Sequence, residues 1–338
     1  EPRGKYSSRS QALTTVQVVP NRKENDAMVS DEIKTMLRSI FRAAMTNPMS
    51  RRALNYGIDL SPLTWKRRVH GEFGLTFKDY NADWIESDWR FNFMGKNILI
   101  PLQKSTLNTD WITAVTIMGH DIEEKRTYMN ILASDMKPDL FIDVGGNFGT
   151  HSLLMLSQGV SVMYVEPNET CHVHFRRYCE RNSFSCALEL CALGAAPGEA
   201  KLRFPIEETW LGSTKEWAAL NFQGTAASVM EIAVPVRTLD ELCGRVENRK
   251  VSLKIDAEGS ERDILTGGRE TIFRLRPVVV FECHKTSGDR AFLADFFDEF
   301  DYDIYSQPWS SAVKFSLNAD DFSTYPHHNF VAVPRIRS

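Results

Sequence analysis

The sequence predicts an α/β fold: a doubly wound, largely parallel sheet with a smaller helical and hairpin unit ahead of it. Three observations carry this reading. Short apolar runs at residues 140–144, 160–165, 187–193, 251–255 and 278–281 recur through the second part of the chain, and helix-length segments follow several of them. The first run ends in an acid and a glycine loop, Asp143 followed by Gly145, Gly146, Asn147 and Gly149. The first third shows helical periodicity and a hairpin pattern but no such alternation.

In chain order, residues 1–29 are polar and aperiodic and read as a loosely held arm. A unit over 30–120 follows. Ser30 and Asp31 open a helix with Ile33, Leu37, Ile40, Phe41 and Ala44 on one face and Asn47-Pro48 as its stop. Residues 89–93 and 98–102 flank Met94-Gly95-Lys96-Asn97, a hairpin signal with Gly in the turn. Both apolar faces are too small to fold alone, so this unit is expected to pack over the carboxyl edge of the sheet and shape an acceptor pocket. The main domain spans 121–338, beginning with a helix over 122–136. Additional strand-like runs at 202–206 and 232–239 bracket an insertion with Trp210, Gly212, Trp217 and Gly224, which reads either as a lid or substrate wall or as a solvent-exposed excursion. Residues 302–306 and 329–333 read as a closing antiparallel pair.

Composition narrows the function. With 338 residues, 43% hydrophobic and 25% charged, the chain is a globular protein rather than a disordered or fibrous one. Its 40 basic and 44 acidic residues leave a net charge of −4, too small to indicate a polyanionic partner. Arg51, Arg52, Lys66, Arg67 and Arg68 lack interleaved aromatic platforms and read as a solvated face, so a nucleic-acid partner is not expected. The six cysteines form no C-x-x-C pair and lack zinc-ligand spacing; reduced thiols in a cytoplasmic protein are expected. No apolar run has membrane-spanning length.

The chemistry concentrates at strand tips. A glycine loop between a buried strand and a helix lets a ligand lie against the backbone, with helix amides facing it. Asn147 and Thr150 interrupt the G-x-G-x-x-G spacing of dinucleotide folds. Glu166, 23 residues beyond Asp143, ends the next strand, where a carboxylate accepts hydrogen bonds from both hydroxyls of an adenosine ribose. A ribose acid and a glycine loop without a phosphate-binding lysine favour S-adenosylmethionine, held by Asp143, Gly145, Asn147, Gly149, Glu166 and Asn168. Asp143 and Glu166 have helix caps as their structural reading, and Asn147 and Asn168 have loop hydrogen bonding. His151 reads as a helix-start residue that can reach the cofactor's carboxylate.

Five ordered segments then resemble the motifs of the FkbM-type S-adenosylmethionine-dependent methyltransferases. They are Asp143 to Gly149, Glu166-Pro167-Asn168, Val236-Arg237-Thr238-Leu239-Asp240, Lys254 to Glu261 with its Asp256-Ala257-Glu258 core, and Phe281-Glu282-Cys283-His284. The resemblance covers roughly residues 120–335. It implies a class I methyltransferase (Rossmann-like) sheet of seven strands, the seventh antiparallel, and methyl transfer to hydroxyls of sugars or natural products. Two departures stand out: Gly146 where the family more often has Ala, and Asp-Ala-Glu in place of Asp-Val-Glu. Both are small and are expected to leave cofactor binding undisturbed.

Methylating an aliphatic hydroxyl requires a positioned base or a metal that acidifies the hydroxyl. His284 suits the first role, with Glu282 orienting it; Asp256 and Glu282 around Mg2+ suit the second. Glu258 and Glu261 have a structural reading as acids at a helix start. The expected activity is therefore O-methylation of a small-molecule hydroxyl acceptor by His284, Asp256 and Glu282. An RNA methyltransferase and a non-catalytic binding protein on the same fold are the alternatives.

Overall fold

The computed structural model describes residues 31–205, 214, 229–285 and 288–335. The expected arm and the insertion's Trp210, Gly212, Trp217 and Gly224 lie outside them. Three helices open the described chain: α1 (Asp31–Thr46), α2 (Pro48–Leu60) and α3 (Leu63–Phe73). Asn47 does end α1, but its side chain also accepts from the Met49 and Ser50 amides, so the expected stop is the cap of a second helix. Only part of the expected α1 stripe packs. Phe41 stacks on Phe73 at 4.4 Å and Met45 is fully buried, whereas Ile33, Leu37 and Ile40 are exposed.

The hairpin comprises β1 (Ser87–Phe93) and β2 (Lys96–Leu102), joined through Met94 and Gly95, both at positive φ. That is the two-residue turn whose twist matches paired strands. Next come α4 (Leu107–Gly119), which the sequence reading missed, and α5 (Ile122–Leu132), four residues shorter than expected. Alternating units follow: β3 (Leu140–Val144), α6 (Thr150–Ser157), β4 (Ser161–Val165), α7 (Glu169–Asn182) and β5 (Ala187–Glu189). The expected strand over 187–193 is split, because β6 (Ala192–Leu193) leaves for a side sheet with β7 (Gly198–Pro205) and β8 (Val229–Arg237). The remainder is α8 (Leu239–Cys243), β9 (Val251–Ile255), α9 (Glu261–Thr266), α10 (Arg269–Leu275), β10 (Val278–Glu282), α11 (Arg290–Glu299), β11 (Tyr302–Ser306), α12 (Ala319–Thr324) and β12 (Asn329–Pro334).

The central sheet has seven strands in the order β11-β12-β10-β9-β3-β4-β5. β12 runs antiparallel to both neighbours, and the pairs among β10, β9, β3, β4 and β5 are parallel. This is the sheet expected from the motif order, and it is the class I methyltransferase topology. β3 and β9 are buried at every position, as central parallel strands must be when helices cover both faces. Their side chains divide by parity: Phe141 enters one core, and Leu140, Ile142 and Val144 enter the other.

The amino-terminal unit is fused to the first of these cores. Trp89, Phe91, Ile98, Ile100 and Trp111 share one buried cluster with Leu153, Tyr164 and Phe175. Polar contacts bolt the same seam: Asn182 exchanges hydrogen bonds with the Leu99 backbone at 2.8 Å each way, and Arg177 pairs with buried Asp110. Among the described residues no helix is long and apolar enough to cross a membrane.

Candidate active site

The carboxyl ends of β3, β4, β9 and β10 open into a cavity of about 660 Å³. In open α/β sheets this crevice is where ligands bind. The glycine loop forms its floor. Gly145 sits at φ +73°, and a Cβ there would overlap the Asp256 carbonyl oxygen, so the β3 and β9 loops touch backbone to backbone. Gly146 faces the ring of Tyr164, whose hydroxyl donates to the Asn147 carbonyl. Gly149 packs against Phe175 and starts α6, outside the cavity lining.

Four of the six expected cofactor residues line the cavity: Gly145, Asn147, Glu166 and Asn168. Asp143 does not. It is fully buried beneath the loop, where its Oδ2 accepts from the Ser152 amide at 3.1 Å and hydroxyl at 2.6 Å, fixing the first turn of α6. Glu166 ends β4 with its carboxylate held between two backbone amides, Asn147 at 3.0 Å and Asn168 at 2.9 Å. Burial pushes it up to about 7, against the pull of those amides. Asn168 also caps α7 through the Thr170 amide.

Sequence reasoning assigned no role to Lys254. It is buried under the floor with Nζ 3.1 Å from Asp256 and 3.8 Å from Asp143. Burial opposes its charge, but Asp256, Asp143 and Glu124 hold it charged well above the usual lysine range. A second group, of which only His151 was anticipated, comes from the start of α5 and α6. Glu124, His151 and Asp121 bring ligand atoms within 4.8 Å of one another at the cavity wall. His151 Nδ1 lies 3.2 Å from the Tyr128 hydroxyl and 3.6 Å from Glu124, and burial keeps its ring neutral. Above them α3 and α4 supply His70, Gly71 and Thr116 to the same cavity.

The expected catalytic residues do converge. Asp256, Glu258 and Glu282 lie with carboxylate oxygens within 4.8 Å of one another. Burial and then the neighbouring Asp256 and Glu258 push Glu282 up to about 10, hydrogen-bonded to Asp256. His284 Nε2 stands 3.3 Å from Glu282 Oε1, and His328 Nε2, unanticipated, stands 3.4 Å from the same oxygen. Glu261 has the structural role: its Oε1 accepts from the Ala257 and Gly259 amides at 3.2 Å and fixes the loop that presents Asp256 and Glu258.

Residues 143–304 match the family model described as the methyltransferase FkbM domain. "Methyltransferase 1" of Beauveria bassiana (strain ARSEF 2860) is 28% identical over 165 residues, covering 44% of this chain and 66% of that protein, just under two thirds of its length. Among solved structures, the FkbM methyltransferase of Methylobacillus flagellatus KT aligns over 68% of this chain and 55% of its own, at 14% identity and a TM-score of 0.38. The Pyrococcus abyssi tRNA (uracil-54, C5)-methyltransferase, in complex with S-adenosyl-L-homocysteine, aligns over 75% and 45%, at 14% identity and a TM-score of 0.34.

Proposed function

We propose that this chain, which carries an FkbM methyltransferase domain, transfers a methyl group from S-adenosylmethionine to a hydroxyl of a sugar or other small metabolite. The observation that carries the reading is Glu166. Its carboxylate, fixed by two amides at the end of β4, faces a cavity floored by the glycine loop, which is the arrangement that accepts hydrogen bonds from a ribose. Gly145, Asn147 and Asn168 would lie along the nucleoside, and the acids Asp121 and Glu124 suit an α-ammonium group. The bound cofactor supplies an electrophilic methyl on a sulfonium.

The chain's part in the reaction is to orient the acceptor and remove its proton. With the methyl group supplied by the bound cofactor, the proton of the acceptor hydroxyl would leave to the β10 tip, where His284 and Glu282 stand at the cavity wall. The lining also bears on the RNA alternative. Among the described lining residues there is one lysine and no arginine, and that lysine is held by Asp256 and Asp143. A cavity so poor in free cations favours an uncharged acceptor over a phosphodiester.

Calorimetry with S-adenosylhomocysteine tests the cofactor, and methyl-labelled product from a panel of glycosides and polyols tests the acceptor. Affinity that is equal in wild type and Glu166→Ala would remove the basis of the reading. RNA retention with steep salt dependence would transfer it to the RNA alternative.

A further inference from the structure

We propose that Glu282, His284 and His328 form a binding site for a divalent ion of the first transition series at the acceptor end of the cavity. The three donor atoms lie within 4.8 Å of one another, and all three residues line the cavity. The separations are informative. Two ring nitrogens stand 3.3 and 3.4 Å from one carboxylate oxygen. That is longer than ordinary N–H···O hydrogen bonds of about 2.7–3.2 Å. It equals the edge of a coordination polyhedron with bonds of about 2.0–2.1 Å, where neighbouring ligand atoms fall roughly 3.0–3.4 Å apart.

The surroundings are those of a built site. The two imidazoles stack at 4.8 Å and 22°, so both approach the carboxylate from one side. Their segments come from different parts of the chain and are tied twice. The Cys283 amide donates to the His328 carbonyl at 2.7 Å. Buried Arg290 donates to the carbonyls of Cys283 at 3.0 Å, Phe322 at 3.0 Å, Tyr325 at 2.6 Å and His327 at 2.6 Å, locking both histidine-bearing stretches to α11. Such outer contacts orient ligands before an ion arrives. Asp256 and Glu258, within 4.8 Å of Glu282, add negative charge beside it.

Two imidazoles with one carboxylate suit Mn, Fe, Co, Ni or Zn, whereas Mg2+ and Ca2+ prefer all-oxygen sites. With three protein ligands, coordination positions remain open toward the cavity. A hydroxyl bound there is acidified, and its proton passes to Glu258 on the same wall. In the ion-loaded site His284 and Glu282 serve as ligands, and Glu258 takes the proton that the β10 tip accepts in the ion-free reading. This use rests on the methyl-transfer reading above; the binding of the ion does not.

The test uses chelator-stripped full-length protein titrated with Co2+, followed by calorimetry and by visible ligand-field absorption. One Co2+ per chain is expected, displaced by Zn2+ and not by millimolar Mg2+. His284→Ala and His328→Ala should each weaken Co2+ by roughly 10²-fold, and His327→Ala should leave it unchanged. Thermal melts and the milder His328→Gln separate ligand loss from misfolding. No Co2+ binding at micromolar concentration, or binding that survives the His284→Ala/His328→Ala double variant, overturns the proposal. Calorimetry with S-adenosylhomocysteine on the same samples keeps the two readings apart, since either ligand can bind while the other fails.

Discussion

Gly146 was expected to be an innocuous departure from the family's alanine; the structure makes it an obligatory one in this chain. A Cβ at residue 146 would sit 2.5 Å from Tyr164 Cδ2 and closer still to Cε2. Carbon atoms at contact stand about 3.5–4.0 Å apart, so the overlap is roughly 1 Å. The ring has little room to retreat. Tyr164 is fully buried, stacks on Phe175 at 4.2 Å, and spends its hydroxyl on the Asn147 carbonyl. Overpacking of this kind costs about 1–3 kcal/mol, and loss of the hydroxyl's bond about 1 more. For a chain of this size, whose unfolding entropy is about 0.7 kcal/mol per degree, Gly146→Ala should therefore lower the melting temperature by roughly 3–6 °C. It should also weaken S-adenosylhomocysteine, because Asn147 shifts with the ring. The decisive assay is a double-mutant cycle. In a Tyr164→Val background, itself less stable, the added methyl finds space, and the penalty of Gly146→Ala should shrink by at least about 1 kcal/mol. A penalty of equal size in both backgrounds, or none in the wild type, refutes the reasoning.

Further expectations rest on other parts of the site. Glu166→Ala removes a buried carboxylate facing the ribose position and should weaken S-adenosylhomocysteine about 10- to 100-fold in calorimetry, the value of a charged hydrogen-bond acceptor. The same substitution should matter much less for an analogue lacking the ribose hydroxyls. Burial pushes Glu124 up to about 7, with Lys254 pulling it down and Asp121 and Asp256 pushing it up. Its ordinary value is 4.5. A carboxyl raised on folding contributes stability that is complete below about 4.5 and lost as pH climbs through about 7. Glu124→Gln keeps an acceptor for Tyr128 without the charge, so it should stabilise the ligand-free protein by about 1–3 kcal/mol at pH 8 and by little at pH 5, read from denaturant melts. Deleting residues up to 103 removes β1 and β2 and uncovers the α6 and α7 face; loss of soluble protein is expected, and a soluble, ligand-binding product would contradict the shared core.

The parts of the fold that the sequence displays are those whose signal is local. β3, β9 and β10 are short, mostly apolar runs because both faces are covered, each interrupted only by polar residues at or near its tip or facing the cavity floor, and the glycine loop and the acid at 166 lie within a few residues of strands already visible. Elements α2, α3 and α4 were missed for the opposite reason. α4 is buried on nearly every side and has little amphipathic contrast, while α2 and α3 bury polar groups such as Arg51, Asn55 and Lys66 that read as surface. Of the expected α1 stripe Phe41 packs, drawn into the aromatic cluster of Phe73 and Trp111, whereas Ile33, Leu37 and Ile40 face outward. Asp143 shows the limit of motif reading at the site: the segment was recognised, but only the geometry tells that its carboxylate turns inward to Ser152. His328 and Arg290 had no local signal at all. His328 joins the β10 tip through a pairing made 44 residues downstream of His284, and Arg290 ties that distant stretch in through the Phe322, Tyr325 and His327 carbonyls; spacing along the chain does not report such encounters.

The position of β12 has a consequence for what can be cut from this protein. The segment that matches the family ends at 304, inside β11, yet β11 does not touch β10; the strand between them is β12, contributed by residues 329–334. A fragment trimmed to the recognisable borders would leave the edge of the sheet with a vacant lane, lose the Phe330 packing on Phe281, and discard the histidine opposite Glu282. At the other border it would strip off the hairpin that roofs α6 and α7. What was inherited as a recognisable block and what folds as one body are thus different lengths of chain. Exchanging cavity walls between relatives would call for transplanting the flanks together with the block.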